Sequence, residues 1–181
     1  MKACCFTGYR PEKFPFPFKG DHLRYTAFED KLTDSIFALA AEGFDRFYTG
    51  MARGFDLLAA ELVLLGRKAR KTPVELYCVL PFKGQDAGWS DVWRQRYARV
   101  LEQADHIECL SDVYSRGCYQ RRNRFMVDNS QLILTYYDGK QGGTAGTLAY
   151  AQKKGKPIIN LAADQPEEEE WEAFPYQFKI L

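Results

Sequence analysis

Six short apolar runs, alternating with segments of helical period, constrain this chain more than any other feature. The runs fall near residues 2–7, 44–49, 74–80, 106–110, 131–137 and 157–161, and the helical segments near 21–42, 57–68, 91–103, 118–129 and 144–154. A short apolar run bounded by turn formers reads as a buried strand, whereas apolar residues at i, i+3, i+4 and i+7 read as a helix with one buried face. In the first helical segment Leu23, Phe28, Leu32, Ile36, Phe37 and Leu39 keep that spacing, and Gly43 ends it. Regular alternation of the two element types implies a parallel sheet, since each strand must be carried back by a right-handed crossover. The expectation is an α/β fold: a Rossmann-like, doubly wound, mainly parallel sheet of about six strands with helices on both faces.

At 181 residues, 46% of them hydrophobic, the chain has enough apolar surface for one domain. The core is expected over 1–161, with 162–181 as an acidic tail whose run at 166–170 is exposed and whose Trp171 and Phe174 could dock it. The prolines of Phe14-Pro15-Phe16-Pro17-Phe18 forbid helix and central strand, so this stretch reads as an extended cover, either core or lid. The formal net charge of +1, from 25 basic and 24 acidic side chains, creates no global field, which disfavours nucleic acid as a partner. No apolar run approaches the roughly 20 residues of a membrane-spanning helix, and the first residues enter a strand without a signal-peptide core, so no membrane partner and a cytoplasmic location are expected. Five cysteines without a CxxC spacing read as free thiols, and with only His22 and His106 available no metal site is expected. His106 reads as a packed or edge histidine, and Trp93 as core.

In a doubly wound sheet the loops leaving the strand C-termini share one rim, which gathers residues 7–10, 49–56, 81–89, 111–116 and 138–147. The last of these is dense in glycine, at 139, 142, 143 and 146, and leads into a helix. Glycines there would let a phosphate reach backbone N–H groups and the positive end of the helix dipole, with Thr144 and Thr147 offering hydroxyls. The alternative is a glycine turn followed by a threonine N-cap. A second strand–glycine–helix junction carries Gly50, Ala52, Gly54 and Asp56. Asp56 would accept from a ribose or base group, or cap its helix. The first loop has only Gly8, so the GxGxxG fingerprint of the dehydrogenases is absent. Arg10 could clamp a phosphate or pair on the surface, Trp89 could stack on a base or pack, and Arg121 and Arg124 read as a solvated basic face.

Thr49-Gly50-Met51-Ala52-Arg53-Gly54-Phe55-Asp56 resembles the SG-x-ARG-[IF]-D signature of the DNA-processing protein DprA. Gly142-Gly143-Thr144 with Gly146-Thr147 is similar to the PGG-x-GT motif of the LOG (lonely guy) phosphoribohydrolases. Those two groups define the SLOG superfamily of Rossmann-like proteins. Within it, Phe6-Thr7-Gly8-Tyr9-Arg10-Pro11, Gln85 with Trp89, the run from Arg121 to Asp128, and Tyr137-Asp138-Gly139 most resemble the YpsA-like branch. The resemblance spans about residues 1–161, and the order of the motifs is more specific than any one of them. It implies a nucleotide-type ligand, ADP-ribose-like or NAD-like, and a sensing or regulatory role. The residues it would assign to ligand or phosphate are Thr7, Gly8, Arg10, Gly50, Ala52, Gly54, Asp56, Pro81, Gln85, Trp89, Arg122, Asn123, Asp138, Gly142, Gly143, Thr144 and Thr147. No catalytic residue, no cofactor beyond that ligand and no oligomeric state follow from it; a homo-oligomer stays open.

The departures weigh against catalysis. LOG enzymes continue GT-x-x-E, but this chain reads Gly146-Thr147-Leu148-Ala149-Tyr150, has Gln141 in place of the motif's proline, and inserts one residue before Gly146. Cleaving an N-glycosidic bond through an oxocarbenium-like transition state needs a positioned carboxylate, and on the rim only Asp56, Asp86 and Asp138 could supply it. A LOG-like phosphoribohydrolase is therefore the first alternative to nucleotide sensing. DprA-like single-stranded DNA binding is the second.

Overall fold

The computed structural model describes residues 1–70 and 73–162, so the expected docking of an acidic tail over 162–181 lies, from residue 163 onward, outside the described residues. In chain order the elements are β1 (Lys2–Thr7), a 3-10 turn (Pro11–Lys13), α1 (Leu23–Ala41), β2 (Phe44–Thr49), α2 (Phe55–Arg70), β3 (Glu75–Leu80), α3 (Asp91–Gln103), β4 (His106–Cys109), α4 (Cys118–Asp128), β5 (Leu132–Thr135), α5 (Gly143–Lys153) and β6 (Ile158–Asn160). The six strands form one sheet in the order β4-β3-β2-β1-β5-β6, and every neighbouring pair is parallel. This is a Rossmann-like α/β fold.

Alternation along the strands builds two cores. Cys4 and Phe6 of β1, Phe47 of β2 and Leu76, Cys78 and Leu80 of β3 are buried in one cluster with side chains of α1, α2 and α3. Cys5, Tyr48, Val79 and Ile133 point the other way, into a second cluster with Met126 and Val127 of α4 and Leu148 and Ala151 of α5. The helices thus divide three to one face and two to the other. The Phe-Pro stretch belongs to the first core: Phe14 and Phe16 are buried, and the Phe14 ring lies 5.2 Å from Phe28 and 4.8 Å from Tyr136. All five cysteines are free thiols, and burial raises those of Cys4 and Cys5 well above their ordinary value. Trp93 is half-buried against the first core, and His106 lies exposed on edge strand β4 with its ring stacked on Tyr77. Among the described residues no helix is long and apolar enough to cross a membrane.

The order places β1 beside β5 while their crossover helices leave to opposite faces, so the two exit loops diverge and open a crevice. Strand β5 is shorter than the apolar run around it. The Asn160 side chain takes over at its end, accepting from the Tyr137 N–H at 3.0 Å and donating to the Tyr137 carbonyl at 2.8 Å. A side chain thereby replaces the ladder and frees the following residues to turn.

Candidate functional site

The turn between β5 and α5 is held in place by the loop that leaves β1. Tyr9 is buried, and its hydroxyl donates to Asp138 Oδ1 at 2.6 Å while accepting the N–H groups of Asp138 and Lys140 at 3.2 and 3.1 Å. One hydroxyl uses its full hydrogen-bonding capacity on this turn. Burial, followed by the bond to Asp138, pushes the Tyr9 hydroxyl up to about 12. Burial would raise the Asp138 carboxyl, but the donors Tyr9 and Lys140 outweigh it and hold the group below its ordinary value. Two lysines stitch the same loops: Lys13 Nζ donates to the Gln141 carbonyl, and Lys140 Nζ to the Lys13 carbonyl, each at 2.9 Å. Gly142 sits at the N-cap of α5 with φ 148°, a backbone region that other residues rarely adopt.

Beyond that turn, a cleft of about 290 Å³ lies between the early turns of α4 and α5. Tyr119, Gln120, Asn123 and Arg124 line it from α4, and Gly142, Gly143, Gly146, Thr147 and Tyr150 from α5. Among the described residues no side chain caps α5, so its first N–H groups are the orphan donors of a helix start. The threonine N-cap reading is thereby corrected, because Gly142 holds the cap position. Gly143 and Gly146 both have ordinary φ, and a Cβ on either would meet nothing within 4 Å. The protein's own conformation and packing do not demand glycine at these two positions.

The threonine hydroxyls are already committed. Thr144 Oγ1 donates to the Gly8 carbonyl at 3.0 Å, and Thr147 Oγ1 donates to the Gly143 carbonyl at 2.8 Å while accepting from Asn123 Nδ2 at 2.7 Å. The Thr144 proton ties α5 to the loop after β1 and the Thr147 proton stays within the helix, which leaves backbone N–H groups as the uncommitted donors at this end. Arg124, expected on a solvated face, lines the cleft with its guanidinium 5.4 Å from the Tyr150 ring centre. No carboxylate is among the lining residues. Sequence reasoning missed Tyr119, Gln120 and Tyr150 as cleft residues. Helical spacing held the signal, since 119 and 123 on α4, and 143, 147 and 150 on α5, each fall on one face.

The β2–α2 turn has a different content. Asp56 is 5% exposed, and its carboxylate accepts the backbone N–H groups of Ala52 and Gly8. Arg122, reaching across from α4, places Nη1 3.6 Å from Asp56 Oδ2 and donates to the Gly50 carbonyl. A Cβ at Gly50 would overlap that guanidinium, and one at Gly8 would overlap the Phe55 ring. Gly54 has φ 92°, and its Cβ would fall 2.5 Å from the Tyr9 carbonyl oxygen. Gly8, Gly50, Ala52, Asp56 and Arg122, all assigned to ligand by resemblance, here engage one another, and Gly54, assigned with them, makes room for the Tyr9 carbonyl. The chain supplies its own anion to this cradle. Burial lifts the Asp56 carboxyl to about 6 against the pull of Arg122, and burial likewise lowers Arg122 despite Asp56. Desolvation exceeds attraction from both sides of the pair, and Arg122 Nε has no hydrogen-bond partner among the described residues.

The remaining assigned residues are spread along the rim. Thr7 is buried at the end of β1 beside Thr135, and Arg10 is exposed. Pro81 and Gln85 are buried; Gln85 Nε2 donates to the Met51 carbonyl at 3.3 Å and lies 3.4 Å from the Tyr97 hydroxyl. That bond steadies Met51, a non-glycine residue at φ 56°. Trp89 meets Tyr97 edge-on at 5.4 Å and packs against the first core, away from the cleft.

A Rossmann-like domain with an uncapped glycine turn beside its topological switch point is the class that fold and site define. The chain belongs to the YspA SLOG family, whose model, YpsA, matches residues 4–163. A UPF0398 protein of Bacillus thuringiensis (strain Al Hakam) is 28% identical over 182 residues, covering 94% of this chain and 98% of the relative. A UPF0398 protein of Bacillus cereus (strain AH187) matches with the same figures. Among solved structures, DNA processing protein A from Helicobacter pylori superposes with a TM-score of 0.60 at 16% identity, covering 88% of this chain and 64% of that one. DprA from Streptococcus pneumoniae gives 0.58 at 14%, covering 88% and 50%, and the structural-genomics target TM1055 gives 0.53 at 19%, covering 88% and 73%. These likenesses establish the shared fold. The Helicobacter structure concerns that protein's single-stranded DNA binding mode.

Proposed function

We propose that this chain binds a nucleotide or nucleotide derivative, ADP-ribose-like or NAD-like, in the cleft between α4 and α5, and that its output is sensing or regulation within the cytoplasm. The observation that carries this reading is the pair Gly143 and Gly146, at the uncapped start of α5, with ordinary φ and open space where a side chain would stand. Backbone N–H groups there would take the phosphate, helped by the helix dipole. Tyr119 and Tyr150 offer ring faces to a base, and Arg124 a cation. Hydrolysis is not favoured, because the lining holds no carboxylate and Asp56 is buried against Arg122.

The test is a thermal-shift panel of ADP-ribose, NAD, AMP and cyclic nucleotides on the wild type and Gly143→Val. A nucleotide should stabilise the wild type and leave the variant unshifted, since only a bound ligand raises stability by linkage. Equal stabilisation of both proteins would refute the site. Release of free base from AMP would favour the phosphoribohydrolase alternative. Single-stranded DNA is the second reading, supported by the fold likeness to the Helicobacter protein and by Arg10 and Arg124 on the rim. A steeply salt-dependent affinity for an oligonucleotide would favour it.

A further inference from the structure

Strand β4 is the sheet edge beside β3, and among the described residues no strand pairs with its outer side. His106, Ile107 and Glu108 are exposed and Cys109 is half-buried, so the strand presents both its side chains and its outer backbone groups to solvent. Edges are normally blunted by shortness, charge, proline or a bulge; this four-residue strand has neither proline nor bulge, and its one carboxylate, Glu108, has a candidate partner in His106 of the same strand. Ile107 is 51% exposed, and Val113 and Tyr114 in the loop that follows are more exposed still. These three are among only eight large hydrophobic side chains exposed on the described residues, which concentrates apolar surface on this edge.

We propose that β4 pairs antiparallel with β4 of a second copy of this chain, about a two-fold axis at Ile107, joining two sheets into one. Such an interface must be self-complementary, and this one is. With Ile107 opposite its own copy, His106 lies opposite the partner's Glu108, and Glu108 opposite the partner's His106. Residues 106 and 108 share one face of the strand, so both pairs form on that face. The two apolar side chains meet between them on the other face. His106 is held ready for this role, its ring stacked on Tyr77 at 4.2 Å and its Nε2 4.0 Å from Glu75. The opposite edge, β6, carries no such histidine–carboxylate pair, and its Asn160 is spent on Tyr137.

Sedimentation velocity across a wide range of protein concentration tests the pairing. The wild type should sediment as two copies at high concentration and dissociate on dilution. Ile107→Lys should sediment as one copy throughout, with an unchanged circular-dichroism spectrum, because the replaced side chain is already exposed. Glu108→Lys and His106→Glu should each weaken the dimer, and the double variant His106→Glu/Glu108→Lys should recover it, because a carboxylate and a cation then face each other across the axis. A wild type that remains a single copy at every concentration overturns the proposal. So does a dimer that survives Ile107→Lys, or a folded double variant that fails to recover association.

Discussion

The β2–α2 and β5–α5 turns are built from the same parts, a strand end, clustered glycines and a helix start, yet they hold different things. In the first, backbone N–H groups of Gly8 and Ala52 converge on Asp56, Arg122 closes over it, and the glycines make room for neighbouring protein atoms. In the second, no side chain caps the helix, and Gly143 and Gly146 face open space. One cradle is filled by the chain; the other is filled by no described side chain, as the proposed ligand site requires. The contrast shows that a glycine-rich strand–helix turn is a frame, and that its occupant decides its use. An anion can be covalent and internal, or it can be a ligand.

The largest expected effect breaks the filled turn. Asp56→Ala leaves Arg122 as a buried charge without a partner and should lower the unfolding free energy by about 3–5 kcal/mol, read by chemical denaturation. A variant as stable as the wild type would mean that the two turns do not differ in this way.

Next comes pH. The Asp56 carboxyl rises from 3.8 to about 6, so between those values the folded state binds the proton that the unfolded state has lost. Its stabilising contribution is full below 3.8 and disappears as pH climbs through about 6, about 3 kcal/mol at about 1.4 kcal/mol per pH unit. The difference in stability between wild type and Asp56→Asn, measured across pH 4 to 7 (roughly the window set by linkage), should carry this step. A flat difference would show that the carboxyl is not titrating where its burial places it.

Gly54→Ala combines a left-handed φ with a close approach to the Tyr9 carbonyl, and should cost about 1–3 kcal/mol in thermal or chemical melts. The smallest effect sharpens the other side of the comparison. Gly143→Ala should change the stability of the free protein by no more than about 1 kcal/mol, in the stabilising direction, because alanine favours helix. It should nevertheless reduce nucleotide binding measured by calorimetry. A destabilised Gly143→Ala would make the β5–α5 turn as structural as its counterpart.

Much of the fold was legible because its signals are local. The unbroken apolar run Ala3-Cys4-Cys5-Phe6 and the helical period of Phe28, Leu32, Ile36 and Leu39 mark strand and helix from neighbours a few residues apart. Tyr119 escaped notice as a cleft residue because its environment depends on how α4 and α5 pack, which the spacing of either helix alone does not specify. The family motifs found both glycine turns but treated them alike.

The sequence by itself determined the parallel α/β architecture, the places where the chain must turn at the rim, and the absence of any pattern for disulfides. The tertiary structure decided which turn is full and which is open. Arg122 bonds to the Gly50 carbonyl across a separation of 72 residues, and Tyr9 binds Asp138 and Lys140 across 129 and 131. Such contacts exist only after the sheet order β4-β3-β2-β1-β5-β6 has brought distant strand ends to one rim. The physical reason is that hydrogen bonds and ion pairs act over a few ångströms of space, whereas propensity and periodicity act over a few residues of chain.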